Sequence, residues 1–332
     1  MKTEGYEALA SALEPVRRIL LTTHIHPDGD AIGSVLALRN ILTATGRKAD
    51  LVVDDEIPQK YRFLVDGPVH RPDEEFDRMA REDPYEMIIY VDASSIDRAG
   101  SVEESRGRWT TDGAVLVNID HHAGNDGYGD VVILEPDRAS SGELVLKVAA
   151  ALGVAISPAI ADQLFAAVLT DTGRFQFSNA DPPSFRAAAE MVEAGADPSR
   201  VAQKVYFERP AAFFRLLGRL FSDMERHLGG RICLLTMPQE TVREFSPDGQ
   251  MDTEGIVDFT VQIEGVQLGA FLRQTDREVW RASLRSRGSA DVREVAEGFG
   301  GGGHAKAAGC EVRGGVEEVK KQLLDAMEGY LE

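Results

Sequence analysis

Cysteine is scarce: 332 residues carry only Cys233 and Cys310. Two cysteines exclude a disulfide scaffold and any four-cysteine zinc site, and they fit a reduced, cytoplasmic chain. Long apolar runs are also missing. No stretch approaches the ~20 residues needed to span a bilayer, and the opening segment Met1–Glu7 mixes charges where a signal peptide would be apolar. No membrane partner is expected. Basic residues are outnumbered, 36 against 55, for a net charge of −19. Such a surface repels polyanions, which excludes long duplex nucleic acid as a partner. It does not exclude a small phosphorylated ligand, because clustered carboxylates bind divalent cations and bound cations reverse the local field. There is no P-loop, no His-Glu-x-x-His pair and no Gly-x-Ser-x-Gly elbow. P-loop ATP hydrolysis, zincin proteolysis and serine hydrolysis therefore lack a basis in the sequence.

What is present is a globular composition, 43% hydrophobic and 27% charged, at a length that predicts two domains. In the first half, strand-like runs at Arg18–Thr23, Leu51–Val53, Met87–Val91 and Val115–Ile119 are interspersed with helical patterns, including one over residues 30–44. Further helical patterns follow at Ser141–Leu152, Pro158–Leu169 and Pro183–Glu193. Strands alternating with helices predict an α/β domain built on a mostly parallel sheet covered on both faces. From Pro198 to Leu228 the pattern is helical with no strand signal, which reads as a connection. Strand signals resume at Ile232–Met237, Val266–Leu272 and Val279–Leu284. Helices at Val292–Glu297 and Val316–Leu331 complete a smaller α+β domain. The expected division is residues 1–200, a helical connection over 201–229, and residues 230–332.

Acids and histidines gather where the apolar runs end. His24-Ile25-His26-Pro27-Asp28-Gly29-Asp30 follows the first run, Asp92 follows Met87–Val91, and Asp120-His121-His122 follows Val115–Ile119. Thr170-Asp171-Thr172-Gly173 follows the helical run Leu164–Leu169. In open parallel sheets, ligands bind at the carboxyl ends of the strands, so these segments are expected on one rim. Three or more carboxylates cannot crowd together ionised without cations, because like charges raise each other's pKa. Mixed histidine and carboxylate donors suit Mn²⁺, Fe²⁺, Co²⁺ or Zn²⁺ better than Ca²⁺ or lone Mg²⁺. The supply suffices for two metals, which about 3.5–4 Å apart would clamp a phosphoryl group and generate a hydroxide nucleophile. Singly, each piece has a plainer reading: Asp30 or Asp92 capping a helix, or the paired histidines hydrogen-bonded and partly buried. Their joint occurrence after four apolar runs favours the metal site.

The pattern His24-x-x-Pro27-Asp28-x-Asp30-Ala31-x-Gly33-Ser34, with Asp92, Asp120-His121-His122 and Thr170-Asp171-Thr172-Gly173, resembles the four motifs of the DHH phosphoesterase superfamily. Gly301-Gly302-Gly303-His304-Ala305-Lys306-Ala307-Ala308-Gly309 is similar to the glycine-rich signature of the DHH-associated C-terminal domain. The layout is most similar to the nano-RNase type, the short-oligoribonuclease and pAp-phosphatase group. That resemblance implies His24 and Asp28 on one metal, Asp30, His121 and Asp171 on the other, and Asp92 bridging the two. Asp120 would orient the histidines, and His122 would face the substrate phosphate and protonate the leaving oxygen. Catalysis would thus rest on His122, Asp92 and Asp120, with two divalent cations, Mn²⁺ the expected ion. His26 matches no ligand position.

The implied substrates are short RNA fragments, linear dinucleotides or 3′-phosphoadenosine 5′-phosphate. Cyclic-dinucleotide cleavage and RecJ-like exonuclease activity are the alternatives, and a non-catalytic nucleotide sensor is the reading from another class. Gly301, Gly302, Gly303 and His304 would present backbone N–H groups to an anion; four successive glycines otherwise read as a flexible connector. Arg285, at the end of a predicted strand, is the candidate for a second phosphate, with Arg174 behind it. Ser140-x-x-Glu143 predicts a helix capping box. Oligomeric state stays open, a homodimer included.

Overall fold

The computed structural model describes residues 3–245 and 253–331. The chain divides into two units, Met1–Glu208 and Arg209–Glu332. The first is built on strands β1 (Thr3–Glu4), β2 (Arg18–Thr22), β3 (Lys48–Leu51), β4 (Tyr85–Val91), β5 (Thr110–Asp120) and β6 (Val131–Leu134). They form a six-stranded sheet in the order β1-β6-β5-β4-β2-β3, parallel throughout. Its helices are α1 (Tyr6–Leu13), α2 (Gly29–Ala44), α3 (Glu74–Glu82), α4 (Ser101–Trp109), α5 (Ser141–Ala151), α6 (Pro158–Asp171), α7 (Pro182–Glu193) and α8 (Pro198–Ala202).

The parallel sheet follows from the central strands. In β4 every residue but Glu86 is buried, the unbroken apolar run of a strand covered on both faces. Successive side chains alternate between two cores. Ile19, Leu21, Met87 and Ile89 pack with α2, α5 and α6, whereas Leu20, Ile88 and Tyr90 pack with Phe76 of α3 and Trp109 of α4. On the first face the helices meet at backbone contact. A Cβ on Gly142 would lie 2.7 Å from the Ala167 Cβ, and one on Gly33 would fall on the Gln163 carbonyl oxygen.

The second unit has strands β7 (Glu225–His227), β8 (Ile232–Met237), β9 (Leu268–Asp276), β10 (Val279–Ser286), β11 (Gly302–His304) and β12 (Ala307–Arg313). Their order is β11-β12-β10-β9-β8-β7, with β8 and β9 parallel and the other neighbours antiparallel. Helices α9 (Ala211–Ser222), α10 (Gln239–Phe245), α11 (Val292–Glu297) and α12 (Val316–Glu328) accompany it. Leu234, Trp280 and Leu284 pack with α11 and α12, and Leu235, Met237 and Phe271 with Phe213, Leu216 and Leu220 of α9.

One expectation changes here, and one plainer alternative falls away. The stretch from Pro198 to Leu228 is not one helical connection: α8 and a π-helical turn (Gln203–Phe207) fall in the first unit, α9 in the second, and Glu225–His227 pairs with β8 as a strand. A three-residue edge strand with two charged residues offers no apolar alternation to reveal it. Nor are the glycines a flexible connector. Gly302 to His304 pair with Ala307 to Gly309 in a hairpin. Gly303 has φ 138°, and a Cβ there would lie 2.6 Å from the Ala307 carbonyl oxygen. Among the described residues no helix is long and apolar enough to cross a membrane.

Candidate metal centre

Adjacent strands β2, β4 and β5 run parallel in register, so their carboxyl ends share one rim. Just beyond the end of β2 lies His24; Asp92 follows β4, and Asp120 closes β5 with His121 and His122 next in the chain. Asp28 caps α2, its Oδ1 accepting from the backbone N–H groups of Asp30 (3.0 Å) and Ala31 (3.1 Å). Asp28, rather than Asp30, is therefore the helix cap. Asp171 is the last residue of α6.

The two histidines of the predicted ligand set are aimed the same way. His24 Nδ1 donates to the Ile25 carbonyl (2.7 Å) and His121 Nδ1 to the Arg138 carbonyl (3.1 Å). A carbonyl only accepts, so each ring keeps its proton at Nδ1 and turns Nε2 toward the acids. His24 Nε2 lies 3.7 Å from Asp92 Oδ2. His121 Nε2 lies 3.4 Å from Asp30, 3.5 Å from Asp92 and 3.7 Å from Asp171. Donor atoms of His24, Asp28 and Asp92 all fall within 4.8 Å of one another, as do those of Asp30, Asp92 and His121. Asp92 belongs to both groups.

Buried hydrogen bonds hold these side chains in place. Asp30 accepts from Ser34 Oγ (2.8 Å) and from the N–H groups of Ser141 (2.7 Å) and Gly142 (3.0 Å). Asp92 accepts from Ser141 Oγ at 3.0 Å and takes a left-handed φ of 59°, the kind of backbone outlier that tertiary contacts must enforce. Asp120 accepts from His122 Nδ1 (2.7 Å) and Asn125 Nδ2 (2.6 Å). The predicted capping box is absent: Ser140 makes no side-chain cap, and Glu143 accepts from the Ala139 N–H at 3.1 Å. Instead, Asp30 from another helix accepts from the first-turn N–H groups of Ser141 and Gly142, and the Glu143 N–H donates to the Ser140 carbonyl. Ser141, Gly142 and Asn125 were not read from the sequence as part of the site. No local pattern marks them, because their partners come from distant segments.

The site's charge is unbalanced. Burial, then the neighbouring Asp92, push the Asp30 carboxyl well above its usual range, and burial lifts Asp171 to about 7. Burial would lower His121, but Asp171, Asp30, Asp92 and Asp120 overcome it and raise the ring to about 10. Burial pushes Asp92 up, yet the nearby rings of His24, His122 and His121 hold it well below the usual carboxylate range. The acids thus draw positive charge to their midst, where a cation would take the place of the His121 proton. Imidazole and carboxylate donors, aimed by outer hydrogen bonds, fit divalent transition-metal ions.

In the second unit, Arg285 lies on β10 and His304 on β11. Both are register partners of Ala307 on the strand between them, which places them on one face, two strand spacings or about 10 Å apart. Arg285 Nε donates to Asp258 (2.6 Å) and Nη1 to the Leu284 carbonyl (3.0 Å). Arg174, after the fourth motif, stacks its guanidinium 5.0 Å from the Tyr206 ring centre.

Comparison with known proteins follows the same division. The DHH family, N-terminal domain, matches residues 18–168, and the DHHA1 domain matches residues 249–332. A bifunctional oligoribonuclease and PAP phosphatase NrnA from Thermus thermophilus is 32% identical, covering 98% of this chain and 94% of that protein. A protein of the same name from Bacillus subtilis is 26% identical, covering 94% and 93%. The crystal structure of an exopolyphosphatase-related protein from Bacteroides fragilis superposes with a TM-score of 0.86 at 26% identity, covering 98% of this chain and 96% of that one. With one domain match in each unit and a relative that is similar along nearly its whole length, this chain belongs to the DHH family and carries its DHHA1 domain.

Proposed function

We propose that this chain is a cytoplasmic hydrolase of short oligoribonucleotides, linear dinucleotides and 3′-phosphoadenosine 5′-phosphate. The ester chemistry is assigned to the first unit and recognition of a second substrate phosphate to the second. One observation carries the reading: Asp92 is shared by the His24–Asp28 cluster and the Asp30–His121 cluster, the arrangement expected of a carboxylate shared by two cations. His24 and Asp28 would hold one ion, Asp30, His121 and Asp171 the other, with Mn²⁺ the ion that such mixed donors suit. When bound, the cations supply charge stabilisation for the phosphoryl oxygens and activation of the attacking water. The names of the Thermus and Bacillus relatives support the substrate class, and the acidic surface agrees with short substrates.

His122 is the proton donor in this reading. Asp120 holds its Nδ1, and Asn125 holds Asp120, which fixes the orientation of the ring. Burial lowers the His122 pKa, but the hydrogen bond and charge of Asp120 outweigh it and raise the ring above its ordinary value. A shift in that direction favours the protonated ring, as a general acid requires. A panel of 5′-phosphorylated di- to pentanucleotides, pAp and cyclic dinucleotides, assayed with Mn²⁺, tests the assignment. Cleavage confined to the cyclic compounds would overturn it.

The face shared by Arg285 and His304, beside the glycine hairpin, is the proposed seat of a second phosphate. Charge-assisted bonds to phosphate are among the stronger polar contacts. Remote binding energy can position the scissile bond, so its loss lowers turnover as well as affinity. A 5′-phosphorylated dinucleotide is therefore expected to be cleaved faster than its unphosphorylated counterpart. Arg285→Ala or His304→Ala should shrink that difference while Mn²⁺ binding stays unchanged. Undiminished discrimination in both variants would move the phosphate contact elsewhere, with Arg174 next.

A further inference from the structure

His26, between His24 and Asp28, was left without a role by the sequence. It stands at φ 54°, a left-handed conformation disfavoured for any residue with a Cβ. Something must hold the turn, and two contacts do. The His26 backbone N–H donates to Asp55 Oδ2 at 2.6 Å, with His26 Nδ1 3.0 Å from the same oxygen. One residue earlier, the Ile25 N–H donates to the Arg98 carbonyl at 2.7 Å. The turn carrying Arg98 is itself pinned by the neighbouring acid, since Asp54 accepts from the Ser101 N–H (2.9 Å) and hydroxyl (2.5 Å). Two consecutive carboxylates just past β3 thus secure two loops, and the first of those loops carries His24 and Asp28.

We propose that Asp55 is a positioning residue for metal binding: by accepting the His26 N–H it fixes the left-handed turn that presents His24 and Asp28 to the same ion. This rests on the reading of His24 and Asp28 as ligands. The acceptor matters more than the charge. The His26 and Asp55 side chains are 57% and 37% exposed, and solvent screening leaves an ion pair so exposed with little strength. The backbone bond, by contrast, acts on the dihedral that separates the two ligands.

Mn²⁺ alone, titrated calorimetrically into the chelator-treated full chain, tests this, with melting in chelator to verify folding. His24→Ala should lose one of the two binding events. Asp55→Ala should keep both, one of them weakened about 10-fold, the scale on which outer partners of metal ligands act. Asp55→Asn keeps an acceptor oxygen and should recover most of that loss. Asp55→Gln, which moves the acceptor by one methylene, should resemble alanine and serves if Asp55→Ala fails to fold. Wild-type titration of Asp55→Ala or Asp55→Gln, beside a His24→Ala variant that has lost a site, would overturn the positioning role and leave the ligands standing. Equal losses in Asp55→Asn and Asp55→Ala would overturn it as well, because charge and not the acceptor would then matter. A His24→Ala variant that titrates like wild type would remove the ground for the ligand reading itself.

Discussion

Asparagine at position 92 is expected to lower turnover at least ~10²-fold, the scale on which core catalytic groups act, with the fold intact. The substitution isolates charge. Asparagine has nearly the shape of aspartate, still accepts the Ser141 hydroxyl through its own oxygen, and tolerates the left-handed backbone that position 92 requires (φ 59°). What disappears is the negative charge that both donor clusters share. Turnover and bound Mn²⁺ should therefore fall together while the circular dichroism spectrum stays that of wild type. Near wild-type turnover in a folded, Mn²⁺-saturated Asp92→Asn protein would refute the shared-carboxylate assignment.

Gly33→Ala is the second large effect, and it acts through packing. A methyl group there falls on the Gln163 carbonyl oxygen, a backbone atom that no rotamer change can move aside. Overpacking of this kind costs about 1–3 kcal/mol, and each kcal/mol lowers the melting temperature by roughly 2–4 °C in a unit of this size. Relief requires α2 to move away from α6. That motion carries Asp30, at the start of α2, away from Asp171, at the end of α6, so activity should fall beyond what the lost stability explains. Gly107→Ala is the control: it lies in α4 with open space around it, where alanine is the better helix former by roughly 0.5–1 kcal/mol. Differential scanning calorimetry of both variants decides the matter. Equal melting temperatures would show that helices α2 and α6 are not in the tight contact described.

Much of this site was legible in the sequence because its residues mark the ends of apolar runs. Strands β2 and β4 are almost wholly buried and β5 is buried over its last four residues, and each carries an apolar run, so the polar residues just past those runs stood out as one rim. The distribution of ligands between two ions came from the family resemblance. Periodicity failed where the signal is tertiary. Strand β1 has two residues and β6 four, too few to display a period, and both sit at one side of the sheet through pairing alone. The capping box misled because its local pattern was sound; the structure instead caps this helix at the Ser141 and Gly142 N–H groups with Asp30, more than a hundred residues away in sequence. His26 went unassigned for a similar reason. Its restraint, Asp55, lies 29 residues downstream, and a left-handed histidine leaves no trace in composition or spacing.

The central claim is that two divalent cations, held around Asp92, are required for hydrolysis of short oligoribonucleotides. Its most direct test is the rate of mononucleotide release from a 5′-phosphorylated diribonucleotide by chelator-treated full chain as Mn²⁺ is added back. The account predicts no turnover in chelator and a return of activity that saturates at two equivalents of Mn²⁺ per chain. Turnover that persists without metal, or that reaches its maximum at one equivalent, would contradict it.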